Sequence, residues 1–481
     1  MSQPSVFEPT IHYLSAEDRE RIHEAALHIL ERIGMQILHE GARETLRGAG
    51  CQLDHDGRVL IPADRVLDAL ERAPRAIQVV DRTGAPAMDL GGRRAHFGTG
   101  SDLMWSIDGA TLERHPCQVE DVRRAALVCD ALPEIDFVMS FANPAEVDPH
   151  RAYLLSFKAM ATSTTKPIVT TSDAGADLHE MWRMACELRG GADALAAAPY
   201  ILHYTEPASP LKHPHDSLEK VLLCADKAIP LVYSPAPMAG ATAPITVAGH
   251  VALGLAECLT GLVLAQLTRP GAPVLLGMGP AVMDMATAQS SYNAPEYLLS
   301  YMAMAEMSHH YDLPSWGYAG TSDSQLPDEQ AALEAGLETY MSTVAGVNLN
   351  HDVGYLDMGR TGSLEQIVVM DEHIAQVRRM QRGIPVDDDS LALDVIADVG
   401  PAGQFLGHAH TMKHFRAVQW RPGLLNRLDH TRWSRKGGLT LRQRASARLA
   451  EILEQHTPPA LDDALAARLQ QIVDAYHKTV D

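Results

Sequence analysis

Six cysteines in 481 residues, at positions 51, 117, 129, 186, 224 and 258, include no Cys-x-x-Cys pair. That scatter signals neither a disulfide framework nor a thiolate metal site, and a reducing cytoplasm is the expected setting. Basic residues are scarce too: 40 Lys and Arg stand against 61 Asp and Glu, a formal net charge of −21. Such a surface repels phosphate backbones and anionic bilayers, so neither nucleic acid nor a membrane is an expected partner. No Gly-x-Gly-x-x-Gly follows a strand-like run, and there is no phosphate loop and no His-Glu-x-x-His. Dinucleotide, nucleoside triphosphate and zinc-protease chemistry therefore lack support. Met1 to Tyr13 has no basic segment followed by an apolar one, so no secretion signal is read. The longest apolar stretch, Val247 to Leu267, is broken by His250 and Glu257 and reads as a buried helix rather than a membrane span.

What is present is alternation. Eight short apolar runs, His96–Met104, Ile135–Ala142, Lys166–Ser172, Pro199–Glu206, Ile229–Pro235, Ala272–Gly279, Leu313–Gly320 and Gly346–Asp352, are separated by stretches with apolar residues at helical spacing. Strand and helix repeated eight times predict an α/β fold, a closed (β/α)8 TIM barrel whose chemistry sits at the strand ends. A helical cap is expected over residues 1–95, with helices at Ser15–Gly34, Gly41–Arg47 and Pro62–Leu70. The barrel is expected over 96–385. A C-terminal extension over 386–481 should begin with an acidic linker at Asp387–Asp389, close with helices at Leu439–His456 and Leu461–His477, and pack on the barrel.

The run ends carry polar and aromatic side chains. Asp102, Glu206 and His351 stand at or just past them, as do Trp105, Tyr204, Tyr233, Trp316, Tyr318 and Tyr355, in a chain with only 7 Phe, 5 Trp and 13 Tyr. Ring faces with a carboxylate nearby suit an organic cation, because a ring quadrupole attracts quaternary ammonium without needing a hydrogen bond from it. The group His408, His410 and His414 has metal-like spacing but follows the eighth run; it reads as a packed loop with exposed histidines, and no metal site is expected. Two other functions compete on these residues. One is a metal-dependent hydrolase on the same barrel, which the 23 histidines would suit; the other is a betaine-binding protein without catalysis.

Several segments carry a more specific likeness: Gly98-Thr-Gly-Ser-Asp102, Pro235 to Thr246 with Glu257 downstream, Tyr318-Ala-Gly-Thr-Ser-Asp-Ser324 with Asp328-Glu-Gln-Ala-Ala332, Ala345 to Tyr355, and Phe405 to Phe415. Together they resemble the trimethylamine methyltransferase family along nearly the whole chain. The resemblance implies a (β/α)8 barrel that moves a methyl group from a methylated amine to the cobalt of a separate corrinoid protein. Members acting on trimethylamine use pyrrolysine, and no such letter occurs here; this points to the branch that demethylates quaternary amines such as glycine betaine. Asp102 and His351 are then the implied catalytic pair, Asp102 balancing the ammonium charge and His351 orienting substrate or meeting its carboxylate. Trp105, Tyr204, Glu206, Tyr233, Trp316, Tyr318 and Tyr355 are the implied substrate-binding set. No Asp-x-His-x-x-Gly occurs, so the corrinoid is expected on a partner protein rather than bound by this chain. A homo-oligomer is expected.

Overall fold

The computed structural model describes residues 9–109 and 111–480. Eight parallel strands close into a barrel: β1 (His96–Phe97), β2 (Phe137 and Val138), β3 (Ile168–Thr170), β4 (Ile201–Thr205), β5 (Leu231–Tyr233), β6 (Val274–Leu275), β7 (Trp316–Tyr318) and β8 (Leu349–His351). The register runs Gly98 to Phe137, Val138 to Ile168, Ile168 to Ile201, His203 to Leu231, Leu231 to Val274, Leu276 to Ser315, Trp316 to Leu349, and Leu349 back to His96. Closure leaves no edge strand on which the sheet could grow.

A helix follows each strand: α1 (Val119–Ala131), α2 (Pro149–Ser163), α3 (Gly175–Arg189), α4 (His215–Lys227), α5 (Val247–Thr268), α6 (Pro295–His310), α7 (Glu329–Ala345) and α8 (Leu364–Gln381). Their starts are written locally. Asp328 caps α7 by accepting from Ala331 N at 3.0 Å, and Ser363 caps α8 by accepting from Gln366 N at 3.2 Å. Helix α5 is apolar all round because it is covered all round: barrel strands lie beneath it, and helices Ala16–His28, Glu40–Gly48 and Ala63–Arg72 pack over it. It is long and apolar enough to cross a bilayer, yet 78% of its apolar window is buried inside the protein.

The N-terminal helices occur where the sequence places them, the first with the Ser15–Asp18 capping box and a stop at Gly34, whose φ is 78°. Two hairpins join them that a purely helical cap does not include. One pairs Gln52–Leu53 with Val59–Leu60, and the other pairs Ala76–Val80 with Pro86–Gly91. The second hairpin has the period-2 pattern of a strand, and its Ile77, Val79, Met88 and Leu90 pack against the inward side chains Phe137, Val169, Leu202, Val232, Leu275, Trp316 and Leu349. One end of the barrel is thus stoppered, each large buried side chain contributing about 1.5–3 kcal/mol.

At the C-terminus, helix Leu441–Gln455 packs on α8 and α1, and helix Asp463–Val480 packs on α2 and α3. Between them and α8 runs an arm, residues 384–438, tied to the barrel by few contacts. The Glu372 carboxylate accepts from the backbone N–H groups of Gly423, Leu424 and Leu425, and Arg379 donates to Val418 O at 2.8 Å. The acidic run is partly helical: Asp387 caps the one-turn helix Asp388–Leu391, its carboxylate accepting from Ser390 N at 2.7 Å.

Candidate active site

The stopper leaves one open end, the C-terminal ends of the strands. A cavity of about 310 Å³ opens there, lined by Ser101, Asp102, Met139, Tyr204, Glu206, Ala236, Gly279, Ala281, Tyr292, Tyr297, Tyr318, His351, Asp352, Tyr355 and Gly359. The loop after β1 gives Asp102, β4 gives Tyr204 and Glu206, β7 gives Tyr318, and β8 gives His351 and Asp352. Asp102 and Asp352 have φ of 65° and 75°, left-handed backbone that Asp tolerates better than most residues, so both carboxylates are aimed by strained turns.

The floor is aromatic. The His351 ring lies 4.1 Å from Trp316, 4.3 Å from Tyr318 and 6.2 Å from Tyr204, the latter two edge-on. Tyr318 in turn meets Tyr297 at 6.1 Å, and Tyr297 stacks on Tyr292 at 5.8 Å. Hydrogen bonds fix this ring system. Tyr301 Oη donates to Asn350 Oδ1 at 3.0 Å and accepts from Tyr318 N at 3.0 Å. Tyr355 Oη donates to Ser101 O at 2.5 Å, and Tyr297 Oη donates to buried Glu338 at 3.3 Å.

The charge in the cavity is of one sign. Asp102 accepts from Ser101 Oγ at 2.7 Å, Glu206 accepts from Tyr204 Oη at 2.9 Å, and Asp352 Oδ1 lies 2.5 Å from His351 Nδ1, a close contact without the direction of a hydrogen bond. Among the described residues no Lys or Arg lines the cavity. Lys220 lies behind it with its ammonium held by Ser172 O at 2.5 Å. Cavity water reaches Asp102 and Glu206, but protein encloses them elsewhere, and that desolvation pushes both carboxyls above the usual range; the Asp102 charge adds to the rise at Glu206. A cation between them would reverse both shifts.

Of the residues singled out from sequence, Asp102, Tyr204, Glu206, Tyr318, His351 and Tyr355 meet at this cavity. Three do not line it. Tyr233 pairs in register with Thr205, one residue out of step with inward-facing Tyr204, so its ring points outward, where its hydroxyl lies 2.7 Å from His213 Nδ1. Trp316 does point inward, but two residues before Tyr318, so it lies one layer lower beneath Tyr204 and His351. Trp105 sits on a short strand beyond β1 and packs under the Arg114 guanidinium at 4.5 Å. Sequence reasoning passed over Tyr292, Tyr297 and Asp352. Tyr292 lies in the loop that leaves the sixth strand, Tyr297 lies in the first turn of α6 just past Pro295, and Asp352 directly follows His351; these positions were available signals.

A sequence model of the trimethylamine methyltransferase family matches residues 2–480. The chain is 32% identical over 416 residues to trimethylamine methyltransferase MttB of Desulfitobacterium hafniense, covering 86% of this chain and 84% of that one. It is 28% identical over 427 residues to a glycine betaine methyltransferase of the same species, covering 88% of each. Its fold is similar to that of the monomethylamine methyltransferase of Methanosarcina barkeri, with a TM-score of 0.51 at 13% identity over 96% of this chain and 86% of that one. The chain is therefore a methyltransferase and belongs to the trimethylamine methyltransferase family.

Proposed function

We propose that this enzyme moves a methyl group from a quaternary amine to the cobalt(I) of a corrinoid carried by a separate protein. The observation that carries the reading is the cavity itself, where tyrosine rings and the carboxylates of Asp102, Glu206 and Asp352 converge around the His351 imidazole, with no Lys or Arg among the described lining residues. A permanently charged ammonium is stabilised there by ring quadrupoles and opposite charge, in a volume suited to a small molecule. In the transfer the N–CH3 bond breaks and its electron pair stays on nitrogen, so a neutral tertiary amine leaves and no proton has to be supplied. The cobalt(I) electron pair forms the new bond to carbon. The chain's part is to hold the head still, exclude water and turn one methyl toward the opening. Asp102 and Glu206 balance the charge, while His351 and Tyr318 form the wall behind it.

A carboxylate on the substrate, as in glycine betaine, is repelled by Asp102, Glu206 and Asp352 and extends toward the opening. Exposed apolar side chains on the strand-end loops, Met104, Ile245 and Met285, offer a face to the corrinoid-carrying partner. The test is spectroscopic. Mixing enzyme, reduced corrinoid protein and a panel of glycine betaine, carnitine and choline should convert cobalt(I) to methyl-cobalt(III) with at least one compound. No conversion with any quaternary amine, alongside conversion with trimethylamine, would overturn the reading.

A further inference from the structure

The arm contains a second cluster unrelated to the barrel cavity. His410 and His414 are one turn apart on helix Ala409–Val418, with ring centroids 4.3 Å from each other. Asp389, from the one-turn helix earlier in the arm, closes the third side: its Oδ2 lies 3.3 Å from His414 Nε2, and its backbone carbonyl lies 3.2 Å from His410 Nε2. One donor atom from each of the three residues can be chosen so that all lie within 4.8 Å of one another. His414 Nε2 is shielded from water and makes no hydrogen bond. A shielded ring nitrogen that makes no hydrogen bond, beside a carboxylate oxygen at 3.3 Å and a second imidazole, is a ligand set short of its ion.

We propose that Asp389, His410 and His414 bind a divalent transition ion of the zinc class, which fastens the two halves of the arm together. Two imidazoles and one carboxylate favour such an ion over magnesium or calcium, which take oxygen ligands almost exclusively. The arm has reason to need a fastening. Its helices Asp388–Leu391, Leu393–Val399, Ala409–Val418 and His430–Arg435 bury none of their residues, so no apolar core holds Asp389 to the histidine helix. In the structure Lys413 Nζ lies 3.0 Å from both Asp389 oxygens and occupies the position of the missing charge. Lys413 is well exposed and can swing into solvent when the ion enters. Two other surface groups, Asp54 with His55 and Asp56, and His215 with Asp216 and Glu219, have donors equally close. Each is built from near neighbours in sequence and fastens nothing.

The full-length enzyme, stripped with chelator, should take up one equivalent of Zn2+ in a competition titration with a chromogenic chelator. His410→Ala and His414→Gln should each lose that equivalent. Lys413→Met should tighten it by about tenfold, because a competing unit charge is gone. Trypsin should cut within residues 384–438 more slowly with Zn2+ than without it, in wild type but not in H410A. Failure of the wild type to bind, or uptake unchanged in both histidine variants, overturns the proposal. Methyl transfer is not needed for any of these readings, so they stand apart from the fate of the proposed function.

Discussion

Gly100 is the least replaceable small residue at the site. A Cβ there would collide with the Asp352 carboxylate and the Tyr355 ring at once. We expect Gly100→Ala to lower kcat/KM by about 100-fold through displacement of Asp352, in line with the cost of misplacing a positioned group by an ångström. Tyr318 separates ring from hydroxyl: Tyr318→Phe should keep amine affinity, and Tyr318→Ala should weaken it by about 2–30-fold, the equivalent of a 0.5–2 kcal/mol cation–π contact. Both are read by KM in the methyl-transfer assay. Because burial raises the carboxyls of Asp102 and Glu206, these groups take up protons sooner than free carboxylates as pH falls. The cation then loses its counter-charge, so KM should rise toward acid pH, and Glu206→Gln should flatten part of that rise.

At the scale of elements, the loop after β4 is fastened to α5 through buried Glu257, which accepts from Ser209 Oγ at 2.7 Å and Leu211 N at 2.6 Å. Burial pushes this carboxyl up to about 7. A raised carboxyl binds its proton more tightly folded than unfolded, so stability falls as pH climbs from about 4.5 through 7, by on the order of 3 kcal/mol. Thermal unfolding of Glu257→Gln should show that pH dependence reduced, with the gap to wild type changing across the same window. The elements were legible to different degrees. Helices with caps and periodic faces, such as Ser15–Gly34, stand in the sequence because their determinants are local. The barrel runs stand there as a set, yet Ile135–Ala142 pairs through isolated bridges at Phe137, Val138 and Ala142 rather than as a continuous strand. Which way each ring faces depends on pairing register between distant strands, and that is why Tyr204, paired with Val232, and Tyr233, paired with Thr205, part company.

For the whole molecule, the arm exposes Ile384, Val386, Leu393, Leu406, Met412 and Val418 by 58–82%. Helix α7 adds an uncovered stripe of Leu333, Leu337 and Tyr340 at spacings of four and three residues. Lone exposed apolar residues are ordinary, but this many on one arm and one helix face is a surface built for cover. The expected outcome is self-association in analytical ultracentrifugation, weakened by Leu333→Glu with Leu406→Glu. Substituting Ile245 and Met285 with Glu should instead leave the oligomer alone and slow methylation of the corrinoid partner without changing amine binding.

The hairpin formed by Ala76–Val80 and Pro86–Gly91 makes the barrel a blind vessel. In the proposed reaction the spent tertiary amine would leave by the same opening that a cobalt-bearing partner would cover. Turnover should then follow a compulsory order: amine enters first, carrier docks second, and demethylated product departs only after the carrier lets go. Product inhibition patterns would display that order, with the tertiary amine competing against substrate and acting noncompetitively toward the carrier.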